Sequence, residues 1–411
     1  MRDTLVFNPA KPTIFHIDIN SCFATIEQQA NPHLRGKPVA VAAYTSSRGV
    51  ILAASVEAKK IGIKTGLTVG DAQKIYPRLV VLEPDTNKYR HVHRALKTLF
   101  SSYTNTLVPK SIDEFILDMA DYIQATGMPV EEIAREIKKR ITEEVGDWIT
   151  VSIGIGTSRF MAKTASNYQK PDGLIVIDHT NYLDIYASLE LTDLHGINIQ
   201  NKARLNKVGI YTVLDFYNAD SVWLKAAFAS IGSYYWFVRL RGWDIDTIEF
   251  ERKSFGNQYA TKIDGSFEFL LPLVQKLVEK TASRMRAKGY CARGVYIGLS
   301  FQDGSHWHIS ETVSQDLFDA RDIYREVMRL LSKCPEVRPV RVISESVFNL
   351  TSDTTLQLNL FSDFTKKRKL VRSIDDINER WGAFSITAAR ALPAYNKIPD
   401  RISFGGVQEL D

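Results

Sequence analysis

Two carboxylates stand side by side at Asp113 and Glu114, directly before the apolar run Phe115-Ile116-Leu117. A third, Asp18, closes an earlier apolar segment, Ile14-Phe15-His16-Ile17. Carboxylate oxygens are hard ligands suited to Mg²⁺. Acids at the ends of two strands can converge on two such ions, which clamp the attacking and leaving oxygens of a phosphoryl transfer. Taken alone, Ser111–Asp118 also reads as a solvated turn leading into a strand. Neighbouring residues of a regular strand point to opposite faces. Asp113 and Glu114 therefore share a site only if their strand opens with a turn or bulge, and the pattern predicts that irregularity.

The positioning elements follow from periodicity. Residues 13–19 read as a strand and Asn20 to Ala30 as a helix. Tyr89, Val92, Leu96, Leu99, Phe100 and Tyr103 recur at helical spacing over 87–104. Pro129 to Val145 predicts a second helix, with Ile133, Ile137, Ile141 and Val145 as its stripe and Gly146 as its cap. Ile149 to Ile155 alternates as a strand and runs into Gly154-x-Gly156. Strand, helix, strand pair, helix, strand is the order of a ferredoxin-like α/β sheet. Residues 31–80 are an insertion of short glycine-marked pieces, with a helix from Ser55 to Ile61. Residues 180–250 read as mostly helical. Gly196 and Gly209 there mark a hairpin whose backbone N–H groups suit a phosphate, and Ile231-Gly232-Ser233 is a second candidate. Beyond 251 the pattern returns to α/β: a helix over Leu273 to Lys288, a strand over Gly294 to Phe301, a helix over 315–333 and a strand over Val340 to Phe348. Lys276, Lys280, Arg284 and Arg286 on the first of these helices read either as backbone contacts to a polyanion or as a solvated face.

The chain has 411 residues, 45% hydrophobic and 24% charged, which is an ordinary globular composition of several domains. Its net charge of +5 permits a polyanionic partner. Cys22, Cys291 and Cys334 are too far apart in sequence for a zinc motif or a disulfide framework, so reduced thiols are expected. No apolar run approaches the about 20 residues of a membrane span, and the first residues lack a secretory apolar core. Cytoplasmic placement is the expectation.

Several linked segments together resemble the Y-family of translesion DNA polymerases of bacterial type, over about residues 13–361. They are His16-Ile17-Asp18-Ile19-Asn20-Ser21-Cys22-Phe23-Ala24, Ser111 to Asp118, Val56-Glu57-Ala58-Lys59 with Gly62 and Gly66, Gly154 to Gly173, and Lys253-Ser254-Phe255-Gly256. The resemblance implies a right-hand α+β multidomain fold. Its parts would be a ferredoxin-like palm (1–30 and 80–178), fingers (31–79), a helix-hairpin-helix thumb (179–250), an α/β little finger (251–350) and a C-terminal tail (351–411). It implies template-directed transfer from a dNTP to a primer 3′-hydroxyl, with Asp18, Asp113 and Glu114 catalytic. Two Mg²⁺ ions would sit on these acids and the Ile19 carbonyl.

By the same resemblance Phe23 is a steric gate against ribonucleotides, with Cys22 beside it, and Val50 and Leu52 roof the new base pair. Lys59 and Lys170 are triphosphate contacts, and Gly196, Gly209 and Gly232 contact DNA. Val56 and Lys59 depart from the Tyr and Arg of many members, replacing a bidentate fork with a point charge. This pair resembles the polymerase V catalytic-subunit branch more than the polymerase IV branch. The family usually has glycine where Asn198 stands, and Asn tolerates positive φ. Leu356-Gln357-Leu358-Asn359-Leu360-Phe361 resembles a bacterial sliding-clamp-binding peptide, with Gln357, Leu358, Leu360 and Phe361 as anchors. As a sequence pattern alone it also fits an edge strand. The implied protein is a monomer that binds primer-template DNA, dNTP and clamp. The alternative is a catalytically weak or partner-dependent accessory subunit that binds DNA and clamp.

Overall fold

The computed structural model describes residues 5–245, 252–261, 267–335, 338–352, 364–394 and 398. The chain forms two compact units, one reaching Ile248 and the other running from Glu249 to Asp400. Among the described residues no helix is long and apolar enough to cross a membrane.

The first unit starts with β1 (Ile14–Ile19), α1 (Cys22–Ala30), β2 (Val39–Ala42), β3 (Ile51–Ala54), α2 (Val56–Lys60), α3 (Val69–Ile75), β4 (Val80–Leu82) and α4 (Thr86–Ser101). It continues with β5 (Leu107–Pro109), β6 (Glu114–Asp118), α5 (Ala120–Thr126), α6 (Val130–Arg140), β7 (Val151–Gly156), α7 (Arg159–Tyr168) and β8 (Leu174–Val176). Among its described residues five α-helices follow: α8 (Tyr182–Ser188), α9 (Ile199–Lys207), α10 (Val213–Asn218), α11 (Ser221–Phe228) and α12 (Gly232–Arg239).

A five-stranded sheet in the order β5-β6-β1-β7-β8 organises this unit. The β1-to-β7 part has the predicted ferredoxin-like connectivity, with β6 and β7 both antiparallel to β1 and β8 parallel to β7. The period of two splits β1 between two layers. Phe15, Ile17 and Ile19 enter a core shared with Tyr89, Leu96 and Phe100 of α4 and Ile133 and Ile137 of α6. His16 and Asp18 face the other way, towards α7. That helix lies very close to the sheet. A Cβ on Gly154 would come within 2.1 Å of the Ala162 carbonyl oxygen, and one on Gly156 within 2.7 Å of the Ala162 nitrogen. A smaller sheet, β3-β2-β4, has its own core of Ala40, Ile51, Ala54, Ile63 and Val69.

The helix predicted over 129–145 changes character at its end. Regular α geometry covers α6, and Ile141–Val145 form a wider π-helical turn. The wider turn keeps Ile141 and Val145, four apart, on the core side. Similarly, the helix after β1 starts at Cys22, because Ser21 takes a left-handed φ of 52°.

The second unit contains β9 (Ser254–Ala260), α13 (Phe267–Ala287), β10 (Tyr290–Phe301), β11 (His306–Leu317), α14 (Ala320–Leu331), β12 (Val340–Ser352) and α15 (Phe364–Trp381). Its sheet runs β11-β10-β12-β9, all antiparallel, and α13 and α14 share its buried core. The helix expected from 315 starts only at Ala320, and 315–317 finish the edge strand β11. Trp307, Ile309 and Val313 alternate with exposed polar residues, and the alternation breaks at Ser314-Gln315, just before the segment read as helix. The basic row on α13 is no uniform solvated face. Lys276 is buried over the Phe384 ring at 4.7 Å. Arg284 donates to Asn257 Oδ1 at 2.9 Å, and Arg286 forks onto Asp375 of α15 at 2.7 and 2.6 Å. The segment after the clamp-like peptide is thus docked on this unit, with Val371 packed beside Cys291 and Phe318.

Candidate active site

Asp18 and Glu114 are directly paired across β1 and β6, which places both side chains on the α7 face. Residues 111–113 form a bend before β6 begins at Glu114. Lys110 N–H donates to the Glu114 carbonyl at 2.8 Å, and Ile19 N–H donates to the Asp113 carbonyl at 2.9 Å. The predicted irregularity is therefore present and stands where Asp113 departs from strand alternation. The Ser111 hydroxyl donates a short hydrogen bond to Asp113 Oδ1.

Three cationic or potentially cationic groups meet these acids. Lys163 of α7 reaches Asp18 Oδ2 at 3.3 Å and makes a short contact to Glu114 Oε1. Lys170, beyond α7, reaches Asp18 Oδ1 at 2.9 Å. His16 Nε2 lies 3.7 Å from Glu114 Oε2, and its Nδ1 lies 3.1 Å from the Ser166 hydroxyl. Burial alone would raise the Glu114 carboxyl, but hydrogen bonding from His16 and the Lys163 charge outweigh it and hold the group well below the usual range. Burial pushes Asp113 up, opposed by its Ser111 hydrogen bond and reinforced by Asp18 and Glu114. It also pushes the Cys22 thiol well up, with the Asp113 and Asp18 charges adding to the effect. Lys59, at the end of α2, is lowered by desolvation and then by Lys170. The insertion thus brings its lysine into the field of Lys170 and the acids.

The helix after β1 walls the site. Cys22 and Phe23 are both 6% exposed. The Phe23 ring stacks on Tyr89 with centroids 4.4 Å apart and an 11° tilt. Tyr89 in turn donates to Glu27 Oε1 at 2.9 Å, and Lys88 pairs with Glu27 Oε2 at 2.8 Å. Leu52 on β3 packs against the main core, and Val50 just before it is 44% exposed.

The structure therefore gathers Asp18, Asp113, Glu114, Cys22, Lys59 and Lys170, with Ile19 at the same strand end. Lys163 and His16 belong to the cluster too, although no site role is predicted for them above. His16 was accessible from the period of two, since it sits two residues before Asp18. Lys163 needed the helix-on-sheet packing. Gly196 and Gly209 adopt positive φ of 98° and 84°, and Gly232 opens α12. Asn198, which the resemblance places where many members have glycine, does not use the positive φ that Asn tolerates. It is extended at φ −89° and caps α9, accepting from Asn201 N–H at 2.8 Å, while Gly196 supplies the left-handed turn. Gln357, Leu358, Leu360 and Phe361 lie outside the described residues.

Among the described residues no three His, Cys, Asp or Glu side chains stand in a ready-made metal cluster. Asp18 and Glu114 are paired with lysine ammonium groups, and Asp113 with the Ser111 hydroxyl. All-oxygen donors of this kind suit a hard divalent ion, which would take the place of the ammonium groups.

Known proteins match this architecture. The impB/mucB/samB family model matches residues 17–167, and the C-terminal domain of that family matches 252–360. DNA polymerase IV of Moorella thermoacetica is 35% identical over 399 residues, covering 92% of this chain and 98% of that protein. DNA polymerase IV 1 of Bacillus subtilis is 32% identical over 394 residues, covering 92% and 93%. A solved Y-family DNA polymerase chimera of Dbh and Dpo4 superposes with a TM-score of 0.72 at 23% identity, covering 82% of this chain and 99% of that one. The chain belongs to the Y-family of DNA polymerases, a family that is divalent-metal dependent in general.

Proposed function

We infer that this protein is a DNA-directed DNA polymerase of low fidelity that copies damaged template in DNA repair. The observation that carries the reading is the meeting of Asp18, Asp113 and Glu114 at adjoining strand ends in a chain of this family. We assign the palm to 1–30 and 80–178, the fingers to 31–79, the thumb to 179–250, the little finger to 251–350 and the tail to 351–411.

Asp18, Asp113, Glu114 and the Ile19 carbonyl are the residues that would hold two Mg²⁺ ions. When bound, these ions lower the charge on the attacking and leaving oxygens of nucleotidyl transfer. Lys170 and Lys59 offer point charges to the triphosphate. Phe23, held flat by Tyr89, fills the space a ribose 2′-hydroxyl would need, with Cys22 next to it. Val50 and Leu52, both small and apolar, cover the new base pair. Gly196, Gly209 and Gly232 offer backbone N–H groups to DNA phosphates, contacts that position a duplex without reading its sequence. Gln357, Leu358, Leu360 and Phe361 dock on the sliding clamp, and the protein works as a cytoplasmic monomer.

Primer extension with Mg²⁺ and dNTPs, comparing wild type with Asp113→Ala, tests the reading. A metal ligand used in the chemical step is worth several kcal/mol, so wild type should extend and the variant should not. Adding clamp should lengthen the wild-type products. Absence of extension by wild type, with clamp present, would move the protein to the accessory-subunit reading.

A further inference from the structure

Asn20 lies just past the end of β1, two residues from Asp18, and is only 4% exposed. The polymerase reading gives it no task. Its carboxamide nevertheless ties β7 to the segment that carries Lys170. Nδ2 donates to the Ser152 hydroxyl at 2.9 Å, and Oδ1 accepts from the Asp172 N–H at 2.8 Å. Only this orientation of the amide satisfies both partners, since a backbone N–H cannot face Nδ2.

Ser152 is the second half of the tie. It pairs with Asp18 across β1 and β7. Its hydroxyl also accepts from Gly173 N–H at 3.2 Å and donates to the Gln169 carbonyl at 3.4 Å. With the bond from Asn20, this uses one donor and two acceptor positions, the whole capacity of a hydroxyl. The loop around Lys170 is thus gripped at Gln169 on one side and at Asp172 and Gly173 on the other. Lys138 holds its outer edge through the Asp172 carbonyl at 2.6 Å. The loop is tight enough that a Cβ on Gly173 would lie 2.0 Å from the Gln169 carbonyl oxygen. Lys170 emerges from this clasp and places its ammonium 2.9 Å from Asp18 Oδ1.

We propose that Asn20 is a positioning residue: with Ser152 it fixes the backbone of 169–173 so that the Lys170 charge stands beside the acids. A lysine is a point charge on a four-carbon stem. Its placement is only as good as that of the backbone beneath it, and preorganisation of this kind is where supporting residues contribute to binding. The proposal rests on the reading of Lys170 as a triphosphate contact.

The test uses the full chain and four variants. Asn20→Leu keeps the bulk and removes both hydrogen bonds, while Asn20→Asp keeps an acceptor for Asp172 N–H. Lys170→Ala removes the charge, and Ser152→Ala removes the other half of the clasp. Amide hydrogen exchange at Asp172 and Gly173 should speed up at least about tenfold in Asn20→Leu, as local opening is favoured. In steady-state extension, KM for dNTP should rise about tenfold with kcat changing much less, the mark of lost ground-state binding. Asn20→Asp should recover most of the wild-type KM. In the Lys170→Ala background, Asn20→Leu should add less than about twofold, because both changes act through one group.

Unchanged exchange at the two amides in Asn20→Leu would overturn the tie. Multiplying effects of Asn20→Leu and Lys170→Ala would overturn the role through Lys170. Should Asn20→Leu not fold, Ser152→Ala is expected to move exchange and KM in the same directions, and a wild-type result there overturns the proposal. If wild type itself does not extend primers, the polymerase reading fails, while the exchange arm still decides the tie.

Discussion

Lys163 sets its ammonium between Asp18 and Glu114, 3.3 Å from the first and in short contact with the second. Both acids come from adjacent strands and the lysine from a helix on the same face. With Lys170 on Asp18 and His16 beside Glu114, this buried cation balances two carboxylates that would otherwise repel.

This balance can be tested by Lys163→Met. Glu114 is held low in the folded state, so its ionic contribution is present above the ordinary carboxylate range and is lost as pH falls through its folded value. The variant should lose roughly 2 kcal/mol near neutral pH, because a partner of partly buried charges is missing. The deficit should shrink on acidification, as both proteins then carry a protonated Glu114. Thermal melts across that range read it directly, and a deficit independent of pH would contradict the charge argument.

Phe23 cannot easily move aside, because Tyr89 stacks on it and Glu27 holds the Tyr89 hydroxyl. Phe23→Val should therefore admit ribonucleotides. Discrimination between dNTP and rNTP, measured as the ratio of kcat/KM values, should fall by about ten- to a hundredfold. An unchanged ratio would return Phe23 to the role of a core residue.

Arg286 and Asp375 tie α15 to α13 by two parallel hydrogen bonds, and Arg286 also donates to the Phe318 carbonyl at 2.7 Å. Asp375→Ala leaves a partly buried guanidinium half satisfied and should cost about 2 kcal/mol of stability in the second unit. Truncation after residue 363 should cost more, since it also removes Val371 and uncovers Cys291 and Phe318. Denaturant melts of the full chain and the two variants distinguish a docked helix from an appendage.

Glu345 is buried in the second unit. Its Oε2 accepts from the Thr281 hydroxyl at 2.7 Å, and its Oε1 has no partner. Burial pushes its carboxyl up to about 8, against the opposing hydrogen bond from Thr281 and the charge of Arg284. The folded state therefore keeps a proton that the unfolded chain releases, so stability declines as pH rises from the ordinary carboxylate range towards that value. Glu345→Gln should remove the decline. Its melting temperature relative to wild type should be higher at about pH 9 than at about pH 6, and parallel curves would show that the group is ionised when folded.

Much of this was legible in the residues. Adjacent acids before an apolar run demand a bend if they are to cooperate, and the bend is at 111–113. The stripes on α4 and α6 face the core as their spacing requires. The C-terminal end of edge strand β11 was hidden because its alternation breaks after Val313, at the exposed pair Ser314-Gln315. The turn at Asn198 survives without a positive φ there, because Gly196 provides the left-handed residue.

The sequence by itself determined the residue types, the order of the elements and the family, because local periodicity and linked motifs are carried along the chain. Only the tertiary structure decided that Lys163 and His16 join the acids, that Asn20 and Ser152 grip the Lys170 loop, and that α15 docks on α13. Those relationships join residues far apart in sequence across a sheet or a helix interface. Spacing along the chain does not encode such distances, and packing sets them.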